Sequence, residues 1–199
     1  RSWLTPIFSK HPDFVPTSEM FQVHAGATAF KRYTLKPGVD PKSVRFTENL
    51  PHYGFAIESW HVFKRLKAEG KIPAHVRYQV DIASIPSVLA AHVAEPLHDA
   101  LEPAVEEAII GQIAKICAEI PHDQLAIQYD VASSIFFHLE TGKATRFGAN
   151  AAEMMKTFVP MHVRLGNAVP KDVHLIYHFC YGDNKHKHSV EPQIGRAHV

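Results

Sequence analysis

Three short apolar runs constrain the fold of this chain more than any other feature: "VRYQVDI" (76–82), "LAIQYDVA" (125–132) and "VHLIYHFCY" (173–181). Each is rich in β-branched and aromatic residues and reads as a strand. No hairpin signal joins them, and the segments between them carry helical periodicity. Helical crossovers of that length connect parallel strands, so the pattern predicts an α/β fold built on a parallel sheet.

The helical segments have their own signatures. "HYGFAIESWHVFKRLKAEG" (52–70) places Ala56, Trp60, Phe63 and Leu66 on one face, leaves Lys64 and Lys67 outside it, and stops at Gly70. A second helix is predicted over about 100–119, with Leu101, Val105, Ile109, Ile113, Ile116 and Ile120 as its apolar stripe. Asp99 and Glu102 have capping-box spacing there, and Pro103 is expected in the first turn. A third helix is predicted over roughly 149–165, where Pro160 is expected to kink or split it. Residues 1–50 read as irregular, because Pro6, Pro12, Pro16, Pro37 and Pro41 interrupt any long element. Within them only "FQVHAGATAF" (21–30) suggests a strand or turn.

A chain of 199 residues without internal repeat or low-complexity linker fits one domain, taken as residues 1–193. The first residue is Arg1, and "RSWLTPIFSKHPDF" opens as though inside a domain. The last six residues, "IGRAHV" (194–199), resemble a translated frame of a common sequencing adapter. The expectation is that the native sequence stops near Gln193 and that the tail is non-native, with a natural polar tail as the alternative.

Composition excludes several function classes. Hydrophobic content of 46% and charged content of 21% are those of a soluble globular protein. The net charge is +1, Lys and Arg are scattered, and the aromatics do not interleave with a basic stripe, so no nucleic-acid partner is expected. No run approaches the ~20 apolar residues of a bilayer span. With no basic-then-apolar leader either, no membrane partner is expected and a cytoplasmic location is the default. Two cysteines, Cys117 and Cys180, suit a reducing compartment rather than a disulfide framework. Cys117 lies beside the second helix's stripe and reads as a core thiol. Oligomeric state is left open.

The chemistry gathers where each strand ends. The first run closes on Asp81 and Ser84, the second on Asp130, and the third on His178, Cys180 and Asp183. Parallel α/β architectures bind ligands at those carboxyl ends, so these residues are candidates for holding a small-molecule substrate. Asp81 has a duller alternative, capping the next helix, whereas Asp130 is followed by apolar residues rather than a helix start. Alternation along the third strand sends Ile176, His178 and Cys180 to one face and Tyr177, Phe179 and Tyr181 to the other. The Cα atoms of His178 and Cys180 are then ~6.6 Å apart, at a strand rise of ~3.3 Å. Imidazole and thiolate can converge on one ion, and this pair favours zinc over magnesium or calcium. The plain alternative is an ordinary buried Cys in a chance H-x-C. "DNKHKH" (183–188) offers a second constellation, with His186 and His188 near Asp183. Those groups could ligate metal, hold an anionic substrate or move protons; a solvated loop is the alternative, above all for Lys185 and Lys187. No Gly-rich phosphate loop, G-x-S-x-G elbow, H-E-x-x-H or C-x-x-C occurs.

The succession "FKRLKAEGKIPAHVRYQVDIASIPSVL", "IPHDQLAIQYDV" and "HLIYHFCYGDNKHKH" resembles a divergent branch of the cobalamin-independent methionine synthase and uroporphyrinogen decarboxylase superfamily, over about residues 50–192. The resemblance implies a (β/α)8 TIM barrel, of which this chain would supply a part truncated at both ends, since a full barrel takes ~250 residues. "YHFCYGD" is similar to the synthase segment whose H-x-C supplies two zinc ligands, which implies metal roles for His178 and Cys180. "AIQYD" is similar to the synthase strand whose Asp helps hold the amino-acid substrate, which implies that role for Asp130. The family's other ligands, a Glu and a second Cys, come later in its chain than this sequence reaches. The synthase's D-E-P is replaced by Asp130-Val131-Ala132, and the extra H-K-H is no part of its pattern. What the resemblance implies is a methyltransferase-like enzyme that transfers a methyl or alkyl group to a small-molecule thiol with zinc, a folate being the methyl donor. Two alternatives stand beside it. One is a decarboxylase, lyase or hydrolase acting on a small carboxylic acid, with Asp130, His186 and His188 in proton transfer. The other is a non-catalytic binding protein. Three strands of a barrel leave open edges, so residues 1–199 alone are expected to aggregate or fold poorly.

Overall fold

In a computed structural model the described residues are 4–22, 25–46, 50–131, 133–183, 186–188 and 190–191, with the backbone alone at 133–134. The expected end near Gln193, the 194–199 tail, Ala132 and Lys185 lie outside them. The elements run α1 (Thr5–Ser9), β1 (Phe14–Phe21), β2 (Phe30–Leu35), α2 (His52–Ala68), β3 (Tyr78–Ala83), α3 (Ile85–Ala90), α4 (His98–Glu119), β4 (Leu125–Val131), α5 (Ser133–Thr141), α6 (Ala151–Asn167) and β5 (His174–Phe179).

The parallel sheet expected from the three apolar runs is present, in the order β3-β4-β5. Two successive right-handed crossovers running in one direction put their helices on the same face of a sheet. Hydroxyl contacts identify that face. Tyr78 donates to the Ala56 carbonyl of α2 at 3.0 Å, while Tyr129 and Tyr177 donate to the Leu165 and His162 carbonyls of α6 at 2.6 and 2.9 Å. Between them the α4 stripe of Leu101, Val105, Ile109, Ile113 and Ile116, all fully buried, joins Ile82 and Ile127 in one core. The alternate residues of the strands form the opposite face, where Gln79, Asp81 and His178 are exposed. The architecture is therefore mixed α/β with a singly wound parallel sheet, and among the described residues its three strands do not close on themselves.

Close packing behind β5 depends on Gly166. A Cβ there would overlap the Tyr177 hydroxyl, which occupies that space to reach His162. Gly166→Ala is expected to cost about 1–2 kcal/mol by displacing that hydrogen bond. Less than the sum of the single effects is expected in Gly166→Ala/Tyr177→Phe, measured by urea denaturation; full additivity would contradict the steric cause.

Several expectations need correction. The described part of residues 1–50 is not irregular: β1 and β2 form an antiparallel pair with an irregularity between Pro16 and Met20 that accommodates the proline. Phe8, Phe14, Tyr33 and Phe46 pack edge-on and stacked around one another, and His92 lies over Phe8. Backbone bonds from Tyr33 N to His92 O (2.7 Å) and from Ala94 N to Tyr33 O (2.9 Å) fix the pair to the segment after α3. The same core cluster runs from Ile7 to Val173. Asp99 and Glu102 do not cap α4, which begins at His98 with no side-chain cap; both bind Arg146 instead. Pro103 consequently lies past the first turn. α6 continues unbroken across Pro160, started by an Asn150 side chain that accepts from Glu153 N at 3.1 Å.

Candidate metal centre at the carboxyl ends of the strands

Strand register brings the candidate residues together. Ala83, Asp130 and His178 are Cα partners across β3, β4 and β5. Cys180 lies just beyond the last residue of β5, but its N–H donates to Val131 O at 3.4 Å and prolongs the ladder. The alternation therefore holds, and one donor atom each from Asp130, His178 and Cys180 lie within 4.8 Å of one another. Edge lengths of a tetrahedral zinc site are roughly 3.3–3.8 Å from its usual bond lengths, so small side-chain rotations separate this group from ligating geometry.

The environment of Asp130 is unfavourable to an isolated carboxylate. Its Oδ1 is buried without a hydrogen-bond partner. Burial chiefly, and then the charges of Asp81 and Asp183, push its carboxyl above the ordinary range, with His178 opposing. Cys180 is raised for the same reasons: burial first, then Asp130, Asp183 and Asp81, partly offset by a hydrogen bond from the Gly182 backbone. Two anion-forming groups thus share a site that disfavours their charge, and a divalent cation would relieve both. Thiolate, imidazole and carboxylate form an acceptable zinc donor set, so the residues present fit that metal.

The other candidates fall differently. Asp81 is exposed on the polar face and accepts from Gln128 Nε2 at 2.8 Å, rather than capping a helix. Gln128 Oε1 in turn accepts from Gln79 Nε2 at 3.1 Å, which makes a polar ladder leading to Asp130. Gln128 was not singled out from the sequence; a polar residue two before Asp130 in an otherwise apolar strand was the available signal. Ser84 is fully buried at the start of α3, with its hydroxyl 2.9 Å from that of Ser87, so it is not presented to this site. The Asp183 backbone carbonyl accepts from His186 N at 2.7 Å, and His186 is held at φ +60°. His188 faces Glu191 at 3.4 Å and the Tyr181 ring. Neither loop histidine belongs to the converging group.

Asp130 is followed by a helix after all: α5 begins at Ser133. Its Phe136 packs against Phe179 and Tyr181, and its Glu140 accepts from the Tyr181 hydroxyl at 2.7 Å. Residues on either side of Cys180 are thereby propped by an element the sequence reading omitted. On the outer helical layer, a groove of about 690 Å³ between α4 and α6 is bridged by ion pairs of Arg146 with Asp99 and Glu102, and of Arg164 with Glu106.

Fold and site together define a mixed α/β protein carrying a His/Cys/Asp group at the carboxyl end of a parallel sheet. Comparison of the chain with protein-family models, curated proteins and solved structures finds no match. Among the described residues no helix is long and apolar enough to cross a membrane.

Proposed function

We propose that this chain is an arc of a (β/α)8 barrel of the methionine synthase and uroporphyrinogen decarboxylase type, and that it transfers a methyl or alkyl group to a small-molecule thiol with zinc. The observation that carries the reading is the convergence of His178 and Cys180 with Asp130 at the carboxyl end of the sheet. His178 and Cys180 would hold the metal, whose chemistry is that of a Lewis acid lowering the pKa of a substrate thiol. The exposed polar face, with Asp81 set by Gln128, lies open to the rest of the substrate. In the transfer, a sulfur–carbon bond forms as the donor–carbon bond breaks; the donor keeps the electron pair and takes a proton, and the thiol proton is released. A folate donor rests on the family resemblance alone.

Zinc content and methyl transfer to a panel of thiols test this reading. About one zinc per chain and turnover with some thiol are expected, with Cys180→Ser losing both by roughly 100-fold or more. A chain without zinc whose activity survives Cys180→Ser would sink the proposal. The raised carboxyl of Asp130 favours one competitor, proton-transfer chemistry on a carboxylic acid. Metal-independent turnover of such an acid would select it, and ligand binding without any turnover would select a binding protein.

Met155, Val159 and Val163 on α6, with Leu175 and Phe179 on β5, are exposed apolar side chains beside an edge strand. In a barrel, further strand-helix units would cover them. The 199-residue chain is expected to self-associate at micromolar concentrations, and Val159→Lys/Leu175→Lys to suppress it. Sedimentation showing an unmodified monomer throughout that range would contradict the barrel arc.

A further inference from the structure

We infer that Asp130 is a third metal ligand, so that Asp130, His178 and Cys180 form a complete catalytic-type site within this chain. The inference rests on the zinc reading above and departs from it in one respect. The family resemblance gives Asp130 to the substrate and leaves two ligands to later residues; the geometry does not require either.

Three observations support the assignment. Asp130 and His178 are register partners on adjacent parallel strands, where backbones lie about 4.8 Å apart and same-face side chains project side by side. One donor atom each from Asp130, His178 and Cys180 lie within 4.8 Å of one another, so the Asp130 carboxylate belongs to the same convergent group as the other two. Asp130 Oδ1 is buried without a hydrogen-bond partner, on the same face of the sheet as His178 and Cys180. A buried polar atom without a partner is costly, and coordination satisfies it.

Charge and coordination number agree with this. One carboxylate, one thiolate and one neutral imidazole carry two negative charges and balance a divalent cation. Three protein ligands are also the number found in catalytic zinc sites, which keep the fourth position for water or substrate. Asp81 is held by Gln128 and stands outside the converging group, so it remains on the substrate side. His186 and His188 also stand outside it.

Cobalt(II) titration of the 199-residue chain, followed by absorbance, separates the possibilities. The native sequence is expected to bind one cobalt with a single thiolate-to-metal charge-transfer band, and Cys180→Ser to lose the band. Asp130→Asn is expected to weaken binding by about 100-fold or more, as loss of a ligand should exceed the 10–100-fold cost of an outer-shell change. Asp130→Cys is expected to raise the band about twofold by adding a second thiolate. His186→Ala/His188→Ala is expected to leave affinity within about threefold. Circular dichroism of the metal-free variants checks that each folds; should Asp130→Asn fail to fold, the gain of band in Asp130→Cys decides. If Cys180→Ser abolishes the band while Asp130→Asn binds normally and Asp130→Cys adds no intensity, the third-ligand assignment is overturned and the zinc reading survives. A loop-histidine variant as weak as Asp130→Asn also overturns it. No band in the native chain removes both.

Discussion

Replacing Phe8 by Ala is expected to lower the stability of the chain by about 3–5 kcal/mol, the usual cost of removing a core aromatic. Phe8 is fully buried, and its ring is within 6.4 Å, centroid to centroid, of Phe14, Tyr33, Phe46 and His92. These rings come from four separate stretches of chain, so no neighbour can move into the cavity without disturbing another. A domain stability is only about 5–15 kcal/mol, so this one substitution removes a large share of it. Urea denaturation monitored by circular dichroism measures the loss. A change under about 1 kcal/mol would show that the first fifty residues stand outside the cooperative core.

Mild acid is expected to be nearly as damaging. His52 and His92 are buried, and burial pushes each pKa from 6.5 down to about 4. Both are neutral in the folded state between those values, while the unfolded chain takes up their protons. Stability is therefore fully present above about pH 6.5 and is lost as pH falls towards 4. At one pKa unit per 1.36 kcal/mol, the pair contributes a loss of about 2–4 kcal/mol by pH 5. His98, His138 and His162 are lowered by burial as well and act in the same direction. The exposed His122–Asp172 pair has its histidine raised, so that histidine acts in the opposite sense, but solvent screens it. Asp172 is lowered and loses its contribution only below its ordinary carboxyl range, outside this window. Protonation of Asp130, raised by burial, offsets a little of the acid loss. Unfolding free energies at pH 7 and pH 5 test the expectation. His92→Asn should flatten the dependence, and equal stability at both values would contradict the burial argument.

The parallel sheet was legible because its signal is local and repeated: three runs, each apolar through its body, each separated by helical periodicity. The α2 and α4 stripes were legible for the same reason, since every third or fourth residue of a core-facing helix must be apolar, although Lys67, expected outside the α2 stripe, is half-buried with its ammonium over the Phe63 ring. The N-terminal pair of strands was not. Its prolines are breakers in isolation, yet Pro16 sits where the β1–β2 register shifts, and Phe14 and Tyr33 acquire their burial from Phe8, Phe46 and His92 on other segments of the chain. α5 was missed because nine residues give too little periodicity to read. Asp99 and Glu102 were misread because capping spacing is a pattern of four residues, and Arg146 was a stronger partner that only folding brings near.

For the site, alternation along a strand was enough to place His178 and Cys180 on one face, because period two is a property of the extended backbone itself. Whether Asp130 joined them depended on the register between β4 and β5, and a slip of one residue would have sent it to the helical face. That register goes with side chains on the opposite face of the sheet, among them the Tyr129 and Tyr177 hydroxyls anchored on α6 and the space left at Gly166. Sequence alone determined which residues could bind a soft metal and that they lie at the carboxyl ends of parallel strands. Tertiary structure alone decided that the buried, unpaired oxygen of Asp130 completes a group of three while His186 and His188 stay in the loop, because distances between strands arise from packing that no local pattern records.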